Sequence, residues 1–215
     1  MPDLRCYLVT GDGEPHHIID VARSAAAGGA GVVQVRSTPI SARALPELTE
    51  RVALAVAEVN PATRVLVDDR VDVAAALMRR GVPVHGVHLG QDDLPVRDAR
   101  TLLGPEAIIG LTTGTLELVR AVHDIADVVD YIGAGPFRPT PTKDSGRPPV
   151  GLAGYPELVA ASPVPVVAIG DVRAADATDL AATGVAGVAV VRGFMNAQDP
   201  AAVAREILAG FGDQR

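Results

Sequence analysis

The chain of 215 residues is long enough to bury a substantial core without disulfides, and its single cysteine, Cys6, has no intramolecular partner. A formal net charge of −7 argues against a nucleic-acid or membrane-surface partner, since both call for a basic face, but leaves room for a small anionic ligand in a locally basic pocket. Apolar residues make up 48% of the chain, Ala and Val are prominent and Trp is absent, a composition that suits a parallel sheet covered by helices.

Short apolar runs rich in Val and Ile alternate with amphipathic segments from end to end. The first run, Cys6 to Val9, precedes a predicted helix from Pro15 to Ala27. It follows the N-terminus without a basic leader or a cleavage site, and Cys6 within it reads as a buried core thiol. The second pair is Val32 to Val35 and Ala42 to Val59; the third is Val65 to Val67 and Val71 to Arg79. The fourth is Gly86 to Leu89 and Val96 to Leu103; the fifth is Ile108 to Leu111 and Leu116 to Ile125. The sixth strand, Val129 to Ala134, leads into a long loop and a helix near Tyr155 to Ala161. The seventh pair is Pro165 to Ile169 and Ala174 to Thr183, and the eighth is Val188 to Val191 and Pro200 to Leu208. Glycines at 28, 29, 81, 104 and 184 follow predicted helices as C-terminal caps. Eight β–α pairs without a linker predict one α/β domain over residues 1–215, a (β/α)8 TIM barrel, with an open doubly wound sheet as the alternative. No apolar stretch approaches a membrane span, and a reducing cytoplasm is the expected compartment.

In such a barrel the chemistry sits at the carboxyl ends of the strands. The residues there are Thr10; Gln34 and Arg36; Asp68 and Asp69; Gln91, Asp92 and Asp93; Thr112 and Thr113; Gly135 through Lys143; Gly170 and Asp171; and Arg192. The opposite-end loops, such as 28–31 and 184–187, are mostly small. Asp68 and Asp69 end strand three and Asp92 and Asp93 follow strand four, so their carboxylates can converge on Mg²⁺; alternatively, Asp69 and either Asp92 or Asp93 cap the following helices. The sixth loop carries Thr140, Thr142 and Lys143 at spacings that let hydroxyls and an ammonium face one anion, although a plain Pro-rich surface loop has the same composition. The loops after strands seven and eight are a common phosphate site in barrels. Gly170 and Arg192 suit it; Asp171 does not, because a carboxylate repels phosphate. His88 reads as a hydrogen-bonded barrel histidine, and His16, His17, His85 and His123 as surface or supporting residues.

The segments Gln34-Val35-Arg36, Val67-Asp68-Asp69-Arg70, Val87 through Pro95, Tyr131 through Pro136, Pro139-Thr140-Pro141-Thr142-Lys143, Val166 through Gly170 and Gly187 through Val191 together resemble the thiamine-phosphate synthase family, in order and over nearly the whole chain. The Pro-Thr-x-Thr-Lys and His-Leu-Gly-Gln-x-Asp segments are the specific ones. The resemblance implies a TIM-barrel transferase that joins hydroxymethylpyrimidine diphosphate to hydroxyethylthiazole phosphate and releases pyrophosphate. It implies that Asp69 and Asp93 hold Mg²⁺, and that Gln34, Arg36, Thr112 and Lys143 contact the pyrophosphate, with Asp68 beside them. It also implies that Thr140, Thr142, Gly170 and the Arg192 loop bind the thiazole phosphate, and that no residue serves as a dedicated acid or base. The implied partners are small phosphorylated substrates, not nucleic acid or membrane, with the oligomeric state, a homo-oligomer included, left open.

Four positions depart from the family pattern. A lysine is replaced by Thr38, an asparagine by Asp68 and a glycine by Asp171, and each change makes a polyanion site more negative by one unit. Two like charges about 4 Å apart cost roughly 4 kcal/mol at an effective dielectric of 20, before screening. The fourth change puts Thr112-Thr113-Gly114 in place of Ser-Thr-His. Arg138, Arg147 and Arg192 are candidates to offset the lost charge. The expectation is therefore a divergent member, with weak synthase activity or another phosphorylated substrate. The alternatives are a thiazole phosphate tautomerase, which needs a histidine where Gly114 stands, and a non-catalytic phospholigand-binding barrel.

Overall fold

The computed structural model describes residues 1–36, 40–139 and 148–212. Eight parallel strands close into a barrel in sequence order. They are β1 (Cys6–Val9), β2 (Val32–Val35), β3 (Arg64–Asp68), β4 (Gly86–Leu89), β5 (Ile108–Thr113), β6 (Tyr131–Ala134), β7 (Val166–Ile169) and β8 (Gly187–Val190). Closure is made by β1 pairing β8, with Tyr7 opposite Ala189. The open-sheet alternative is thereby excluded.

The outer layer comprises α1 (Pro15–Ala27), α2 (Ala44–Val59), α3 (Val71–Arg79), α4 (Val96–Leu103), α5 (Leu116–Ala121), α6 (Gly151–Ala161), α7 (Ala177–Ala182), α8 (Arg192–Met195) and α9 (Pro200–Phe211). No helix among the described residues is long and apolar enough to cross a membrane. Differences from the sequence expectation have local causes. Strands β3 and β5 run on to Asp68 and Thr113, because inward-facing polar residues there find partners in the barrel mouth. Helix α6 starts at Gly151, earlier than expected: Gly154 and Pro156 conceal its beginning, and burial of Tyr155 and Leu158 holds it. The segments after β5 and β7 each divide into a short α-helix and a 3₁₀ turn, Val122–Ile125 and Ala174–Asp176. The four-residue α8 is too short to show a periodicity.

Period-two alternation divides the strand residues between two cores. Outward-facing Cys6, Leu8, Val33, Val35, Val65, Val67, Val87, Leu89, Ile132 and Val188 pack under the helices. Inward-facing Tyr7, Val9, Val32, Leu66, Tyr131, Val167 and Ala189 fill the barrel. Cys6 is buried as expected, and burial pushes its thiol up to about 12, so it is not a nucleophile.

At the amino end of the barrel, Arg100 ties the α4–β5 and α5–β6 connections together. Its guanidinium donates to the carbonyls of Gly104, Pro105, Ala107 and Val128 and to Asp130 Oδ2, which in turn accepts from Ile109 N. Charge-assisted bonds of this kind contribute about 1.5–3 kcal/mol. Arg100→Met is expected to lower the unfolding free energy by about 2 kcal/mol in denaturant titration, with no change in Michaelis constants, because it lies at the end of the barrel away from the chemistry.

Candidate active site

The carboxyl end of the barrel holds a continuous chain of polar side chains. Register places Asp68, His88, Gly110 and Tyr131 in one row across β3 to β6. His88 and Tyr131 are thus separated by a whole strand, and Gly110 lets them meet over it. A Cβ at Gly110 would overlap the Tyr131 hydroxyl and His88 Nδ1. In its absence the Tyr131 hydroxyl lies 2.9 Å from Nδ1, and Thr112 Oγ1 lies 2.9 Å from Nε2. On the other side the Tyr131 hydroxyl is 2.7 Å from that of Tyr7, which donates to Gln34 Oε1 at 2.6 Å. Gln34 Nε2 donates to Asp68 Oδ1, and Asp68 Oδ2 faces Arg36 Nε at 3.3 Å. The Arg36 backbone is fixed by Thr10, whose hydroxyl accepts from Arg36 N and donates to Arg36 O.

The chain has a direction. Asp68 orients the Gln34 amide so that Oε1 points to Tyr7. Burial pushes both tyrosines well above the ordinary phenol range, so each carries one proton. Tyr7 spends its proton on Gln34, so Tyr131 donates to Tyr7 and His88 Nδ1–H donates to Tyr131. In its neutral form the His88 ring then presents a bare Nε2 to the Thr112 hydroxyl. His88, half of the specific strand-four motif, is thus the hydrogen-bonded barrel histidine expected.

The acids expected to hold metal sit at the same end. Asp69 has a left-handed backbone, φ 58°, and its N–H donates to His88 O. Asp93 Oδ2 accepts from Gly90 N at 2.6 Å. The residues at the N-cap positions of α3 and α4, Arg70 and Pro95, make no side-chain capping bond. Among the described residues no group of three or more His, Cys, Asp or Glu forms a closed metal cage. Two carboxylates in an open mouth fit a hard cation that completes its shell with water and ligand oxygens.

The loops after β6, β7 and β8 are tied together by arginine. Phe137 N and Arg138 N donate to the carbonyls of Ile169 and Gly170, continuing the β6–β7 ladder. The Arg138 guanidinium lies over the Phe137 ring and makes a two-pronged pair with Asp176. It also donates to Asp171 O at 3.1 Å. Arg138 is therefore committed to the loop scaffold and does not offset the lost charge as anticipated. Arg192 reaches back from the end of β8 to bond Asp171 Oδ1. Hence the two acids gained against the family pattern each have a guanidinium, Arg36 for Asp68 and Arg192 for Asp171. Thr38, Thr140, Thr142, Lys143 and Arg147 lie outside the described residues. Clefts of about 390 Å³ between α5 and α6 and about 360 Å³ between α3 and α4 are on the barrel's outside and hold no comparable convergence.

Sequence reasoning did not single out Tyr7 or Tyr131 as site residues, nor Gly110. The signal available for the tyrosines was a phenol at an inward position of an otherwise aliphatic strand.

Fold and site together define a (β/α)8-barrel enzyme with a buried polar layer at the carboxyl ends of its strands. Residues 6–194 match the family model described as thiamine monophosphate synthase. A thiamine-phosphate synthase from Corynebacterium efficiens is 68% identical over 100% of this chain and 98% of its own length. One from Corynebacterium jeikeium is 68% identical over 98% and 96%. A solved thiamine phosphate pyrophosphorylase from Pyrococcus furiosus superposes with a TM-score of 0.81 at 30% identity, covering 97% of this chain and 96% of that one. The chain belongs to the thiamine monophosphate synthase family, and with it to the transferases of thiamine biosynthesis. The tautomerase and non-catalytic alternatives find no support among these relatives, and identity this high does not support a divergent member.

Two outcomes are expected. Tyr131→Phe leaves Tyr7 and His88 Nδ1 each short of a partner, so stability should fall by about 1–3 kcal/mol in denaturant titration. The ¹⁵N shifts of His88 should then show the Nδ1–H tautomer losing its dominance. Separately, the Arg138 guanidinium holds the Asp176 carboxyl below its ordinary value. A lowered folded value contributes stability above the unfolded value, about pH 4, that is lost as pH falls through the folded one. Asp176→Asn should cost about 1 kcal/mol at neutral pH, and the gap to the parent protein should close below about pH 4 in acid titrations of stability.

Proposed function

We propose that residues 1–215 act as one barrel domain, in the cytoplasm, that joins hydroxymethylpyrimidine diphosphate to hydroxyethylthiazole phosphate with release of pyrophosphate. The observation that carries this reading is the directed chain from Arg36 through Asp68, Gln34, Tyr7, Tyr131 and His88 to Thr112. It fixes two groups proposed to contact the diphosphate, Gln34 and Arg36, at one end and a third, Thr112, at the other. Asp68 serves by orienting the first two rather than by touching an anion. Lys143 is proposed to join them at the pyrophosphate.

Asp69 and Asp93 are the residues proposed to hold Mg²⁺, which would supply charge to neutralise the leaving pyrophosphate. The reaction breaks the bond between the pyrimidine methylene and the diphosphate oxygen. The electron pair leaves with pyrophosphate, and the thiazole nitrogen donates its lone pair to the methylene. Such chemistry needs positioning and charge stabilisation rather than a nucleophile from the protein. That agrees with a buried layer whose phenols stay protonated and whose lone thiol, Cys6, faces away. Thr140, Thr142, Gly170 and Arg192 are proposed to take the thiazole phosphate, the loops being held in place by Arg138.

The test is formation of thiamine phosphate from the two substrates by the purified protein, with and without Mg²⁺. Metal-dependent product is expected, and Asp93→Asn should reduce the rate by at least about 100-fold with the fold intact. A folded protein that makes no product with both substrates and metal would overturn the reading.

A further inference from the structure

Asp171 follows β7, in one of the two loops that frequently form the phosphate site of such barrels, where a carboxylate repels phosphate. Its backbone is left-handed, φ 53°, a conformation that favours glycine, and it follows Gly170 at φ 98°. Gly170 is confined by Pro136, whose Cα and Cβ would lie 2.5 and 2.7 Å from a Cβ placed there. The turn is therefore set from outside, and Asp171 adopts a conformation that glycine would adopt more readily.

What its carboxylate does there is specific. Oδ1 accepts from Arg192 Nη2, and Oδ2 lies 4.0 Å from Arg173 Nη2. The Asp171 side chain is 18% exposed, whereas those of Arg192 and Arg173 are 47% and 73% exposed. One largely buried acid thus faces two more exposed cations, and the third nearby guanidinium, Arg138, is paired with Asp176. The arrangement is a carboxylate in the position of an anion, with one exposed cation bonded to it and a second within 4.0 Å.

We infer that Asp171 is a resident stand-in for phosphate: it holds Arg192 at the β7–β8 mouth, and the thiazole phosphate binds by taking Arg192 over while Arg173 moves onto Asp171. Asp171 is a positioning residue that acts through Arg192. The inference rests on the reading that these loops take the thiazole phosphate. Its consequence is that the protein trades affinity for one substrate against a preformed, neutral loop. Phosphate meets no bare cation and no bare acid, and each guanidinium keeps an anionic partner through the exchange.

The experiment is a kinetic cycle over Asp171→Asn, Arg192→Ala and the double variant, with KM measured for each substrate. Asp171→Gly serves as a second variant, because glycine fits φ 53° without a side chain. Loss of one exposed to half-buried ion pair as competitor predicts a fall of about fivefold in KM for the thiazole phosphate in Asp171→Asn and in Asp171→Gly. KM for the pyrimidine diphosphate should not move. Arg192→Ala should raise KM for the thiazole phosphate, and Asp171→Asn should have no further effect in that background. If Arg192→Ala raises this KM while neither Asp171 variant lowers it, the stand-in role is overturned and the phosphate site survives. If Arg192→Ala leaves this KM unchanged, both the stand-in role and the assignment of Arg192 to the phosphate are overturned.

Discussion

Burying Gln34, Asp68 and His88 inside a barrel mouth is costly unless every polar atom finds a partner, and the rest of the structure follows from how that requirement is met. Among the described residues no buried side-chain nitrogen or oxygen lacks a hydrogen bond. Satisfaction is achieved by one connected chain running over six strands, in which each bond fixes the proton position of the next. A broken link would leave an unpaired donor or acceptor in a dry interior, so the chain is cooperative in the sense that its members are correct together or not at all. Gly110 is part of the same device, because the His88–Tyr131 bond exists only where β5 has no side chain.

A second theme is charge. The protein is acidic overall, yet the carboxyl end of its barrel is organised by arginine. Arg36 meets Asp68, Arg138 meets Asp176, and Arg192 meets Asp171. Counting formal charges along the sequence suggested that acids gained at the site would repel the substrates. In the folded chain those acids are counterions. Each orients a guanidinium group, which is a matter of geometry and exposure rather than of net charge.

The two ends of the barrel divide the work. At the amino end, Arg100 satisfies carbonyls left over by two connections, a role that concerns stability alone. At the carboxyl end the same chemistry, guanidinium to carbonyl and carboxylate, positions loops. Arg138 shows this most directly, since its bonds reach Asp171 and Asp176 and it stacks on Phe137, locking the connections after β6 and β7 to one another.

The sequence by itself determined the barrel, because eight Val- and Ile-rich runs alternating with helical segments have few other ways to bury both faces of a parallel sheet. Six of the strand and helix spans, among them β1, α1, α3 and α4, were legible to the residue for the same reason: a buried strand and an amphipathic helix write their periods into the chain. The list of residues at the strand ends was also legible, since topology puts them on one face. What only the tertiary structure decided was who meets whom. That Tyr7 and Tyr131 carry the polar chain, that Gly110 makes room for it, and that Asp171 is held by Arg192 depend on contacts between strands and loops far apart in sequence. No local pattern encodes them, because an inward-facing tyrosine and a core tyrosine obey the same alternation, and a carboxylate's effect is set by the cation that folding brings to it.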